Sequence, residues 1–146
     1  MILRRASTAD AGVCARIQRE ANRVSLPFLP APPDLDDAVT FFETKLLVEN
    51  EAWLAEEEGV AVGYVAFHPG WLEHLYVLPG YQARGIGPQL LAKALEDGAP
   101  RTLWTFQANS RARRFYEARG WKLVELTDGA GNMEKTPDAL YAWTGG

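Results

Sequence analysis

The stretch from Trp71 to Leu95 constrains the fold most. Residues of strand character, Trp71 to Val77, meet the breaker Leu78-Pro79-Gly80-Tyr81, and a helical pattern with Ile86, Leu90, Leu91, Ala94 and Leu95 on its buried side follows. A strand feeding a helix in this way fits helices packed on a sheet. Between the two lies Gln82-Ala83-Arg84-Gly85-Ile86-Gly87. The first turn of a helix has unpaired N–H groups and a positive dipole end. Glycines let an anion approach that backbone, and Arg84 adds a positive charge, so the junction reads as a phosphate site. It lacks the Lys-Ser/Thr ending of a nucleotide-hydrolysing phosphate loop and the third glycine of a dinucleotide fingerprint. A diphosphate held mainly by backbone fits. A glycine-bearing turn with no ligand is the alternative reading of the same residues.

The remaining segments supply the other elements. Ile2 to Arg5 forms a first strand, and Thr8 or Asp10 caps a helix through Ala11, Val13, Ile17 and Ala21. Leu26 to Pro33 is too rich in proline for a helix interior and reads as a stiff apolar loop. Asp34, Asp36 and Asp37 open a second helix carrying Val39, Phe42 and Leu46. Ala52–Glu56 and Val60–Phe67 form a hairpin around Glu57, Glu58 and Gly59. Gly98 and Pro100 end the glycine-turn helix, and Leu103 to Gln107 is a strand. Asn109 caps a short amphipathic helix that stops at Gly120. Trp121–Leu126 and Met133–Trp143 pair around Asp128-Gly129-Ala130-Gly131, with Pro137 marking an edge or a bulge. The order β-α-α-β-β-β-α-β-α-β-β describes one α/β domain with a mixed sheet over residues 1–146.

Composition excludes several functions. A net charge of −4 argues against nucleic-acid binding through a general basic face. The single cysteine, Cys14, forms no intrachain disulfide and reads as a small core residue. No apolar run approaches the ~20 residues needed to cross a bilayer, and Met1 to Ala6 lead into no apolar signal core. The expectation is a soluble, cytoplasmic protein that binds no metal.

Two motifs carry a family resemblance. Leu75-Tyr76-Val77-Leu78-Pro79 followed by Gln82-Ala83-Arg84-Gly85-Ile86-Gly87 resembles the acetyl-CoA signature of GNAT N-acetyltransferases, Q/R-x-x-G-x-G/A after a strand. Asn109-Ser110-Arg111-Ala112-Arg113-Arg114-Phe115-Tyr116-Glu117, closing at Gly120-Trp121, resembles the later N-x-x-A-x-x-F/L-Y-x-x-x-G-F block, and Lys135 to Trp143 is similar to the family's tail. The resemblance implies acetyl-CoA as acyl donor. It places main-chain groups of Leu75, Tyr76 and Val77 along the pantetheine arm, with the Val77 amide polarising the thioester carbonyl. Amides over Ala83, Arg84, Gly85, Ile86 and Gly87 hold the pyrophosphate, with Gln82 and Arg84 near it. Asn109 reaches the pantetheine and Tyr116 sits by the sulfur. Pro88 departs from the pattern: it suits a first helical turn but deletes one phosphate donor.

The implied reaction is attack of a neutral amine on a thioester, which needs an oxyanion donor, a proton acceptor and help for the departing thiolate. Val77 suits the first task and Tyr116 the third. Period two puts Glu73 on the face of Leu75 and Val77, making it the candidate base. His74, on the opposite face, is second, and His68 is a weaker third. In the other functional class, the chain binds acyl-CoA as a non-catalytic sensor or interaction module. The acceptor is a small-molecule or peptide amine in a pocket shaped by Leu26–Pro33 and the hairpins. Exposed terminal strands suit a homodimer.

Overall fold

The computed structural model describes residues 1–146. Strand β1 (Ile2–Arg5) leads to helix α1 (Ala11–Ser25) through a 3-10 turn whose cap is Ser7. The Ser7 hydroxyl accepts from the Ala9 amide and the Asp10 carboxylate accepts from the Ser7 amide, closing a capping box one residue earlier than Thr8. Leu26 to Pro33 carries no helix or strand. Helix α2 (Leu35–Phe41), capped by Asp34, passes through a π turn at Phe42–Leu46 into the short α3 (Leu47–Glu49).

Next come β2 (Glu51–Glu57), β3 (Val60–His68) and β4 (Gly70–Val77), then α4 (Ile86–Ala94), β5 (Arg101–Phe106), α5 (Ser110–Glu117), β6 (Lys122–Thr127) and β7 (Asp138–Trp143). The expected last strand from Met133 is shorter. Residues 133–137 belong to a loop in which Asn132 binds both the amide and the carbonyl of Thr136 and Lys135 has φ +51°. Pro137 has no N–H to give a ladder, so pairing starts at Asp138.

The seven strands form one sheet in the order β1-β2-β3-β4-β5-β7-β6. All neighbours are antiparallel except β4 and β5. One face packs Ala55, Val65, Phe67 and Leu72 against Ile86, Leu90, Leu91 and Ala94 of α4, and Leu103 and Tyr141 against Tyr116 and Trp121. The other face packs Leu54, Tyr64 and Ala66 against Cys14 and Ile17 of α1 and Phe42 and Leu46. Cys14 is fully buried there, and burial pushes its thiol up to about 12, so it is a small core residue.

The parallel pair decides where a site can form. β4 and β5 pair only at Gly70↔Arg101 and Trp71↔Thr102, where the Thr102 hydroxyl also donates to the Gly70 carbonyl over 2.8 Å. Beyond Trp71 the strands part, leaving one edge of β4 without a strand partner. The sheet is split into two arms that open from a closed end.

Candidate active site

A cavity of about 440 Å³ occupies the split. It is lined by β4 at Leu75, Tyr76 and Val77, by the junction before α4, by the face of α5 carrying Asn109, Ala112, Phe115 and Tyr116, and by the end of α1 at Ala21, Asn22 and Ser25. Gly63 lets the end of β4 lie close: a Cβ there would stand 2.9 Å from the Tyr76 carbonyl. The sequence reading gave Gly63 no role, since a glycine inside a strand does not reveal which backbone approaches it.

The junction presents backbone amides to this cavity. Ala83 has φ +63° and Gly85 φ +81°, with Arg84 between them on the ordinary side. Residues alternating in this way turn successive N–H groups inward and form an anion-binding concavity. Gly85 is the N-cap of α4, in a conformation that favours glycine. No acidic side chain lines the cavity, whereas Arg111 and Arg119 do. Arg111 hydrogen-bonds Gln82 across the mouth, and the Gln82 amide donates to the Val77 carbonyl over 3.2 Å. The sequence reading gave Arg111 and Arg119 no role, since no local pattern shows which basic residues of a short helix meet a ligand. Backbone amides, two guanidinium groups and the absence of carboxylates together suit a phosphorylated ligand.

Of the cofactor positions expected from sequence, Leu75, Tyr76, Val77, Gln82, Ala83, Gly85, Gly87, Pro88, Asn109 and Tyr116 all line the cavity. Two do not. Arg84 is exposed and lies over the Tyr81 ring, 5.1 Å from its centroid, and the Ile86 side chain is buried in the core. The Asn109 side chain accepts from the Ala112 amide over 3.2 Å and caps α5. Tyr116 packs edge-on against Phe115 and Trp121. Burial pushes its hydroxyl well above the ordinary range, and the nearby Tyr76 hydroxyl pushes in the same direction, so Tyr116 stays protonated.

The expected face of Glu73 is corrected by a bulge. Ala66 pairs with His74, but Phe67 pairs with Leu72, so Glu73 has no partner in the ladder. The extra residue flips the alternation. Leu72, rather than Glu73, joins Leu75 in the α4-side core. Glu73 is exposed, lies 3.8 Å from His68 Nδ1 and does not line the cavity. His68 also contacts Asn50 through Nδ1 at 2.7 Å. His74 lies on the α1 side, its Nδ1 2.7 Å from the Tyr64 hydroxyl, beside Phe42 and Tyr76. Burial pulls it down to about 4, so it is neutral near pH 7.

Comparison with known proteins agrees with this geometry. A model described as the acetyltransferase (GNAT) family matches residues 16–121. A protein named an uncharacterized N-acetyltransferase from Archaeoglobus fulgidus is 33% identical, with 61% of this chain and 72% of that protein covered. This chain spans 46% and 62% of the next two curated relatives' lengths. The solution structure of apo YjaB from Escherichia coli superposes with a TM-score of 0.80 at 21% identity over 100% of both chains. The paia N-acetyltransferase from Thermoplasma acidophilum, solved in complex with coenzyme A, gives 0.77 at 21% identity over 98% of both.

Proposed function

The chain belongs to the acetyltransferase (GNAT) family, and on that premise we propose that it transfers the acetyl group of acetyl-CoA to an amine by direct attack on the thioester. The observation that carries this reading is the split between β4 and β5, whose cavity joins the alternating-φ amides to the unpaired edge of β4. The diphosphate lies against the amides of Ala83 to Gly87 with Arg111 and Arg119 nearby. The pantetheine follows the free edge of β4, where its amides find partners in place of a strand. The amide of Val77 donates to the thioester carbonyl as negative charge develops there.

The amine nitrogen forms a bond to the carbonyl carbon, and the C–S bond breaks as coenzyme A leaves. Tyr116 donates a hydrogen bond to the departing sulfur. Full transfer of its proton is disfavoured, because its pKa lies above the ordinary ~10 of tyrosine and a thiol is near ~8.5. The cavity is lined by no Asp, Glu, His or Lys. The amine therefore reacts as the neutral base and its proton leaves through water. Glu73 is not among the residues that line this cavity.

Thiol release from acetyl-CoA, followed over a panel of primary amines, tests the reading. Amine-dependent release is expected. Tight acetyl-CoA binding with no release for any amine would instead favour a non-catalytic acyl-CoA-binding module.

A further inference from the structure

A second cavity, of about 450 Å³, opens on the other arm of the split. Its walls are Trp104, Thr105 and Phe106 of β5, Thr127 and Asp138 of the paired ends of β6 and β7, and the connecting loop at Gly131, Asn132 and Glu134. Trp104 and Phe106 share a strand face by period two, opposite to Leu103, which faces the core. Trp104 as a residue is 45% exposed, and it lines this cavity.

The only charged residues lining this cavity are Glu134 and Asp138. Asp138 is about nine-tenths buried. Its oxygens accept from the Thr127 hydroxyl and from Asn132 Nδ2, both neutral groups. None of the chain's ion pairs includes Asp138 or Glu134. Lys135, the cation of the same loop, turns its ammonium to the Ala130 carbonyl at 2.8 Å. With only neutral partners on Asp138 and none of the ion pairs on Glu134, a cationic ligand would bring the first countercharge to this cavity. The loop is closely built: a Cβ at Gly129 would stand 2.3 Å from the Thr136 backbone. Phe106 lines the second cavity, and its carbonyl accepts from the amide of Asn109, which lines the first, over 3.0 Å, so the two cavities adjoin where β5 leads into α5.

We propose that the second cavity holds a second ammonium group of the acceptor while the reacting amine reaches into the split, which makes the acceptor a small aliphatic di- or polyamine. This rests on acetyl transfer being the activity. Glu134 and Asp138 neutralise the distal charge, and Trp104 offers its ring face to it. The reacting amine, further along the chain, meets no carboxylate in the first cavity and is free to lose its proton. Holding one nitrogen and leaving the other neutral follows from acids lining one cavity and not the other.

Acetylation of 1,4-diaminobutane and of n-butylamine tests the assignment. The diamine should be preferred in kcat/KM by about tenfold to a hundredfold, the range expected for a charge-assisted contact. Glu134→Gln should reduce that ratio to near one, and Asp138→Asn should lower it as well if the variant folds. Equal kcat/KM for the two amines in the wild type would overturn the proposal. So would a preference that survives Glu134→Gln, or better turnover of a lysine-containing peptide. Calorimetry of 1,4-diaminobutane binding, without acetyl-CoA, provides a separate readout. Binding weakened by Glu134→Gln supports the subsite and absence of binding overturns it. Thiol release from acetyl-CoA over the wider amine panel shows independently whether the transfer reading has failed.

Discussion

The two arms of the sheet are built differently. The arm of β1 to β4 is covered on both faces, by α1 and α2 on one and by α4 on the other. The arm of β5, β7 and β6 is covered on one face by α5 and leaves Trp104 open on the other. The arms also differ in what they offer a ligand. The first ends in backbone: a free strand edge and a turn of inward amides, with arginines nearby. The second ends in side chains: two carboxylates and two aromatic rings. Under the proposed function, backbone geometry of the first arm would hold the cofactor and side chains of a loop on the second would choose the acceptor. The difference teaches how one fold could keep the two tasks apart.

The largest expected effect breaks the first cavity alone. A Cβ at Gly87 would meet the Phe115 ring at ordinary contact distance, 3.6 Å, so Gly87→Ala is tolerated. The indole of Gly87→Trp must enter the cavity. Calorimetry should show acetyl-CoA affinity reduced by more than about a hundredfold, several contacts being lost at once, while 1,4-diaminobutane still binds. Unchanged affinity for acetyl-CoA would remove the junction from the site.

A smaller effect is expected where the two arms meet. Tyr116→Phe keeps the packing on Trp121 and Phe115 but loses the hydroxyl. Steady-state assay should show kcat lowered about ten- to a hundredfold with acetyl-CoA affinity retained, as for one hydrogen bond to a developing anion. Normal turnover would make Tyr116 a packing residue only.

The smallest effect separates the covered arm from the open one by pH. His74 is neutral in the fold with a pKa near 4, against an ordinary value near 6.5. Protonation therefore favours the unfolded chain. Stability is unaffected above pH 6.5, falls as pH drops through 6.5 and levels off below about 4, at a loss of roughly 3 kcal/mol. Thermal unfolding at pH 7 and pH 5 should show this loss in part, and His74→Gln should flatten it. An equal slope in the variant would assign the acid sensitivity elsewhere.

Amino-acid order alone determined the succession of elements, because hydrophobic period, proline breaks and caps act over a few residues. The strand, turn and helix around Gly85 and the capping role of Asn109 were legible for that reason, and so was the resemblance that rests on those residues. Helix faces and the hairpin at Glu58-Gly59, where both residues take positive φ, follow from equally local rules. Only the tertiary structure decided the rest. The bulge at Glu73 depends on how β4 meets β3, and a single extra residue reversed a face that period two had assigned. The early end of β7 depends on Asn132 capturing the backbone of Thr136. The parting of β4 from β5, the arginines at one cavity and the carboxylates at the other join residues far apart in the chain. No local pattern encodes that meeting, since it is set by how α4 and α5 pack beneath the two arms.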